Sequence, residues 1–302
     1  MGQRLIGVDV GGTKVSVAVL DEGRLSDPEI TPTDLSSSDA LVEQLVAAIR
    51  AAGPATAVGV GVPSVIDFAT GTARSSVNIP LQGVPLRHTL TERLGIPTFV
   101  DNDATVAALA EAHDDDMRPI ADIVLMFTVG TGVGGGIVIG GRTFRGATGA
   151  AAEIGHTIIG AGLEHGAPAA DHFPQKASLE YHAAGRALDR LGLARGIGDG
   201  QAVVAAARTG DADALDAMRI LGESLGVGIA NAINTFDPDL VVVGGGVSTA
   251  GALLLDPARE AAARFVVKGV GTKTEIRLAR YGPQAGVRGA TLLAGQELEL
   301  GR

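Results

Sequence analysis

Residues 4–20 read RLIGVDVGGTKVSVAVL, and residues 122–140 read DIVLMFTVGTGVGGGIVIG. In each stretch a β-branched apolar run enters a glycine turn and leaves it as a second apolar run, the pattern of strand, tight turn and strand. Laid over one another at an offset of 119, Asp9-Val10-Gly11-Gly12 falls on Thr128-Val129-Gly130-Thr131. The pairs Gly23-Arg24 and Gly141-Arg142 then close the two units at nearly the same place. Two lobes that open alike imply an internal duplication.

The whole chain fits that division. Its 302 residues are too many for one ordinary core and suit two lobes. A hydrophobic fraction of 46% is enough to fill both. Lysine and arginine number 24 against 34 acidic residues, a formal net charge of −10. That balance speaks against a nucleic-acid partner or an anionic membrane surface, both of which need basic patches. Seven Phe, two Tyr and no Trp offer little base-stacking surface. Cysteine is absent, which excludes disulfides, thiol nucleophiles and cysteine zinc sites. The start, Met1-Gly2-Gln3-Arg4, carries no secretory pattern, and no apolar stretch reaches membrane-spanning length. A cytoplasmic protein is expected, with no membrane partner, assembled as a homodimer or higher homo-oligomer.

Between the two glycine units, helical spacing of Leu41, Leu45, Val46 and Ile49 predicts a helix over 39–52, closed by Gly53-Pro54. Strands are expected over 55–62 and 95–100, then a helix over about 104–113. The run Asp114-Asp115-Asp116 reads as a solvated hinge. The lobes accordingly divide as 1–117, smaller, and 118–302, larger, with the active site in the cleft between them. The final helix, about 285–299, can pack back on the first lobe. In the second lobe, 161–176 reads as a long loop. Helices are expected over 178–192, 200–208, 211–236, 250–264 and 285–297, and strands over 239–243 and 274–279.

Glycine makes up 44 residues and gathers where apolar runs end. Backbone N–H groups around glycine can surround phosphate oxygens because no Cβ blocks the approach. Gly11-Gly12-Thr13-Lys14 adds a hydroxyl and a cation to such a turn; the bland alternative is a ligand-free hairpin. Gly130-Thr131-Gly132-Val133-Gly134-Gly135 matches the dinucleotide spacing, but Gly136-Ile137-Val138-Ile139 continues as strand where that fingerprint needs a helix. A phosphate-loop lysine motif is absent too. A third turn, Gly244-Gly245-Gly246, sits between a buried strand and a helix.

Taken in order, these motifs resemble the ROK family (repressors, open reading frames and sugar kinases) of the actin-like, hexokinase-like ATPase superfamily. The resemblance runs through Asp9 to Lys14, Gly59-Val60-Gly61-Val62-Pro63, Asn78-Ile79-Pro80, Asn102-Asp103, Thr131 to Gly136, Glu153-Ile154-Gly155-His156, Ser178-Leu179-Glu180 and Val243 to Ser248. It implies an α/β, two-lobed actin-like/hexokinase-like (ribonuclease H-like) fold with a duplicated β-sheet core. It also implies an ATP-dependent hexose kinase with Mg²⁺ and a sugar substrate, glucose being the first choice. N-acetylmannosamine kinase, fructokinase and polyphosphate glucokinase are the alternatives within the family.

By that resemblance Asp103 is the general base, and Asn78, Asn102, Glu153, His156 and Glu180 bind the sugar. Each has a plainer alternative: Asp103 a helix N-cap, Asn78 a turn residue, Glu153 and His156 a surface ion pair. Gly11, Gly12, Thr13, Lys14, Gly130, Thr131, Gly132, Gly244, Gly245 and Gly246 hold the nucleotide, and Asp9 positions the magnesium indirectly. Family members usually follow the Gly-His pair with a cysteine-rich zinc segment. Residues 157–177 have none, so no structural zinc is expected. Glu164, His165, Asp171 and His172 read there as solvated residues, and Ile158, Ile159, Leu163 and Phe173 are the apolar residues available to pack the loop. A sugar-sensing repressor of the same family would carry a helix-turn-helix segment ahead of the lobes. Here strand one is entered by Leu5, and no basic recognition helix is seen.

Overall fold

The computed structural model describes residues 3–167, 169–170 and 172–301. β1 (Leu5–Val10) and β2 (Lys14–Asp21) form an antiparallel hairpin, extended at β2 by β3 (Arg24–Leu25) and β4 (Glu29–Pro32). After α1 (Ser38–Ala51), β5 (Ala57–Val62) pairs parallel to β1. A small hairpin of β6 (Ser64–Asp67) and β7 (Thr72–Ser76) follows, then α2 (Leu86–Leu94). β8 (Thr98–Asn102) pairs parallel to β5 and runs straight into α3 (Asp103–Glu111). The first sheet has the order β3-β2-β1-β5-β8.

The second sheet repeats this plan. β9 (Ile123–Val129) and β10 (Val133–Ile139) take the hairpin positions, and the two-residue β11 (Arg142–Thr143) extends β10 as β3 extends β2. The helices α4 (Leu179–Ala183), α5 (Gly185–Ala194), α6 (Gly200–Arg208) and α7 (Ala212–Phe236) intervene. β12 (Leu240–Gly244) then pairs parallel to β9, and β13 (Glu275–Leu278), after α8 (Ala252–Phe265), pairs parallel to β12. The order β11-β10-β9-β12-β13 matches the path β3-β2-β1-β5-β8 of the first sheet, to which β4 is an addition. The duplication read at offset 119 is therefore one of topology. α9 (Ala285–Glu299) closes the chain.

The residues group into two compact units. One takes Met1–Asp122, Gly136–Ala151 and Tyr281–Arg302; the other takes Ile123–Gly135 and Ala152–Arg280. Within the first, the period of two sorts β1 and β5 into opposite faces. Ile6, Val8, Val10, Val58, Val60 and Val62 pack under Leu41, Leu45 and Ile49 of α1. The other face holds Gly7, Asp9, Gly59 and Gly61, and there α3 and α9 lie directly on the sheet backbone. A Cβ on Gly7 would meet the Val287 carbonyl and Thr291, one on Gly59 the Ala290 carbonyl, and one on Gly61 the Val106 side chain. These contacts, with the seating of Gly136 on α3, tie α9 and the 136–151 segment to the first unit.

Four elements go beyond the sequence reading or change it. β4, the β6–β7 hairpin and α2 have no counterpart in the sequence pattern, and α2 buries Leu86 and Leu90 fully, with Leu94 partly buried against the same core. The helix expected over 178–192 is broken at Ala184, whose extended backbone ends α4 and starts α5. Among the described residues no helix is long and apolar enough to cross a membrane.

Because the Gly59 contact is with backbone, which cannot move aside as a side chain can, Gly59→Ala should cost roughly 1–3 kcal/mol through overpacking. Urea denaturation measures this; an unchanged midpoint would mean that α9 does not sit on β5 as described.

Candidate active site

In the first unit the functional candidates gather at the C-terminal ends of β1 and β8. The β1–β2 turn is tight: the Gly11 N–H donates to the Lys14 carbonyl at 2.8 Å. Thr33, for which the sequence held no signal, braces it from β4's end. Its hydroxyl donates to the Gly11 carbonyl at 2.7 Å and its N–H to the Thr13 carbonyl at 3.1 Å. Thr13 and Lys14 are exposed on this turn, and Gly12 lies against the exposed Asn78.

Asp9 ends up beside Gly286, in the first turn of α9, where a side chain would collide with its carboxylate. Its carboxyl is raised from 3.8 to about 6, first by burial and then by the negative charge of Asp103, with Lys14 pulling the other way. Two carboxylates in one partly buried site favour a cation between or beside them. Asp9 and the β1–β2 turn thus fit a magnesium–phosphate group by charge, the carboxylates suiting the cation and the exposed Thr13 and Lys14 the phosphate.

Asp103 is the first residue of α3, and the capping role weighed for it falls instead to Asn102. The Asn102 side chain accepts the Thr105 N–H at 3.1 Å and its Nδ2 donates to the Ser64 carbonyl at 3.3 Å. Asp103 keeps its carboxylate at the helix start, where Oδ1 accepts the Ala104 N–H at 2.8 Å. Asn102 therefore orients the chain on either side of Asp103 whatever else it binds.

In the second unit the candidates gather around the β9–β10 turn. The Gly130 N–H donates to the Gly132 carbonyl at 2.9 Å, and the Gly130 carbonyl accepts the Gly185 N–H at 2.7 Å. Thr131 is exposed at the turn's tip. Glu180 reaches into it, its Oε2 accepting the Val133 N–H at 2.8 Å, and Gly132 leaves the room that this needs. Gly155 seats on the Val133 backbone, which brings the 3₁₀ turn Ile154–His156 to the same strand. His156 Nε2 and Glu153 Oε2 stand 3.8 Å apart, both open to solvent. Ala152, just before them, holds a φ of 70°.

The third glycine turn joins this cluster from β12. Gly245, at a φ of 86°, lies on the Val129 backbone, where no side chain would fit. The chain passes from the triplet into a 3₁₀ turn, Gly246–Ala250, and only then into α8. Gly244 is buried, while Gly245 and Gly246 are exposed. Gly185 on the Gly130 carbonyl and Gly245 on the Val129 backbone thus bring the second and third glycine turns together within this unit. Gly185 escaped the sequence reading because an unbroken helix was expected across it.

The 157–177 loop corrects one expectation. Ile158, Leu163 and Phe173 are exposed at 51%, 63% and 72%, so they do not staple it by burial. Its neck is closed by backbone instead: Leu179 N–H to the Thr157 carbonyl at 2.8 Å and Ile159 N–H to the Ala177 carbonyl at 2.9 Å. Phe173 stands edge-on to His156, ring centroids 5.5 Å apart. Among the described residues no three His, Asp or Glu converge to hold a metal ion. Asp171 lies outside the described residues, whereas His165 and His172 are exposed.

Two sheets of matching strand order, each with a glycine turn in its first hairpin, define an actin-like, hexokinase-like protein. The chain belongs to the ROK family, whose model matches residues 5–297. It is 34% identical over 314 aligned positions to the glucokinase of Streptomyces coelicolor, covering 96% of each chain. Among solved structures it is similar to a ROK hexokinase from Thermus thermophilus, with a TM-score of 0.84, 35% identity and coverage of 98% and 99%. A ROK glucokinase from Streptomyces griseus, in complex with glucose and AMPPNP, matches with a TM-score of 0.80 and 33% identity over 97% and 99%.

The raised Asp9 carboxyl has a stability consequence whose sign is fixed. The folded protein holds this proton more tightly than the unfolded chain, so stability falls as pH rises from about 4 to about 6. Asp9→Asn cannot ionise and escapes that loss. In metal-free buffer it should exceed the wild type by about 1–3 kcal/mol at pH 7.5 and by almost nothing near pH 4. Thermal unfolding across pH checks this; a variant less stable than wild type at pH 7.5 would contradict the account.

Proposed function

We propose that this chain is an ATP-dependent hexose kinase that phosphorylates the 6-hydroxyl of glucose. The observation that carries the reading is Asp103. It is a carboxylate held at a strand-to-helix junction, close enough to Asp9 to raise its proton affinity, in a unit whose first hairpin offers a glycine turn with Thr13 and Lys14. Kinship to a glucokinase at 34% identity over nearly the whole chain supports the sugar-kinase class.

In this reading Asp103 accepts the proton of the 6-hydroxyl as its oxygen attacks the γ-phosphoryl, and ADP leaves. Asn78 offers a donor and an acceptor to sugar hydroxyls, and Asn102, Glu153, His156 and Glu180 complete the set. The turns Gly11 to Lys14 and Gly130 to Gly132 present backbone N–H groups and a hydroxyl to phosphates. Gly244 to Gly246 leave room for the nucleoside. Magnesium, when bound, neutralises phosphate charge, and Asp9 is the residue that would hold it, through water. For one turnover both groups of residues must act on the same substrate pair. The reaction is assigned to the cytoplasm, where ATP is available, and to a homodimer or higher homo-oligomer with no nucleic-acid partner.

A coupled assay over a panel of sugars and donors tests the reading. Glucose with MgATP should give the highest kcat/KM, and polyphosphate should be the poorer donor. The glucokinase assignment is overturned if N-acetylmannosamine or fructose exceeds glucose, and the donor if polyphosphate exceeds MgATP tenfold. No sugar-dependent ADP formation at all would remove the enzyme reading.

A further inference from the structure

Arg145 lies in the segment after β11, between the glycine turn of the second hairpin and Glu153, and its guanidinium is spent on three partners. Its Nε donates to Asp101 Oδ2 at 2.7 Å and its Nη2 to Glu297 Oε1 at 3.1 Å. The guanidinium carbon lies over the Phe68 ring, 3.4 Å from its centroid. Asp101 and Glu297 are both buried, 1% and 3% exposed. Asp101 is the residue before Asn102, and its second oxygen, Oδ1, accepts the Asn102 N–H at 2.9 Å. From there the bonds continue locally: Asn102 to the Thr105 N–H, and Asp103 to the Ala104 N–H.

We propose that Arg145 is a positioning residue for Asp103, acting through the Asp101 carboxylate to fix the turn from β8 into α3. The inference rests on the reading of Asp103 as the proton acceptor. A buried ion pair is weak evidence for stability, because desolvation offsets most of the attraction. Placement is the better account of this one. Burial pushes the Asp101 carboxyl up, and Glu297 adds a second negative charge; Arg145 opposes both. An ionised Asp101 can accept from Arg145 and from the Asn102 N–H at once, with one oxygen for each. Lysine could keep the charge, but a point charge lacks the planar fork that reaches two carboxylates while covering the Phe68 ring. Without the cation, Asp101 would take up a proton or turn away, and the backbone on which Asp103 stands would lose a constraint. A shift of about 1 Å at a reacting group can cost on the order of 10²-fold in rate.

The test uses Arg145→Met and Arg145→Lys in the full chain. Turnover is measured per glucose-binding site, alongside glucose affinity and residue-resolved amide exchange. Arg145→Met should lose roughly 10–100-fold in kcat and Arg145→Lys roughly threefold to tenfold, with glucose Kd within about threefold in both. Exchange should rise at residues 101–105 and not in β1 or β5. Either folded variant retaining kcat within a factor of about two, or exchange rising across the whole first sheet, overturns the proposal. If the wild type phosphorylates no sugar, the kinase reading fails by itself, and the exchange pattern still decides whether Arg145 sets this turn.

Discussion

The structure depends on close approach of helix to sheet backbone on one face of β1 and β5. Alternation places Gly7, Gly59 and Gly61 on that face, and each is a point where a methyl group would overlap α9 or α3. With the helices this near, Asp9, two residues beyond Gly7 and on the same face, meets the first turn of α9. Gly61 meanwhile lies against the Cα of Asp103. The absence of side chains thus brings the Asp9 carboxylate of β1 and the Asp103 carboxylate at the start of α3 close enough to interact. Burial of that pair is unfavourable for the protein alone, as the raised Asp9 carboxyl records. Such a site gains when a cation or a proton arrives, which is the electrostatic condition for handling phosphate and hydroxyl together.

The second sheet repeats the plan and puts different chemistry on it. At the position equivalent to Asp9 stands Thr128, so the second hairpin carries no matching carboxylate of its own. Glu180 enters from α4 instead and closes the turn by accepting the Val133 N–H. Around it glycine stands where side chains would not fit: Gly132 against the Glu180 carboxylate, Gly185 on the Gly130 carbonyl, and Gly245, at a φ of 86°, on the Val129 backbone. One duplicated scaffold has therefore produced a charged site and a glycine-lined one.

What the sequence made legible was what local pattern controls. The two strand–turn–strand units, the duplication, the placement of Asp103 at a strand end and the three glycine turns all follow from residues near one another in the chain. Elements lacking that signal were missed. α2 shows only two buried leucines amid polar residues, and β6 and β7 are short and paired to each other. Asn102 and Asp103 are both good caps, and only the backbone decides between them; it made Asn102 the cap. Arg145 was invisible because its partners lie 44 and 152 residues away. The exposure of Phe173 and Leu163 was equally hidden, since apolar character alone does not tell a loop residue what will cover it.

The central claim is that Asp103 removes the hydroxyl proton at a site whose sugar binding does not depend on its charge. Asp103→Asn keeps the shape and an oxygen to accept the Ala104 N–H, and loses the negative charge and with it the proton acceptor. Measured by titration for glucose affinity and by single-turnover phosphorylation for rate, it should bind glucose within about threefold of wild type and react on the order of 10²–10⁴-fold more slowly. Retention of more than about half the wild-type rate would contradict the account, since a general base is worth far more than that.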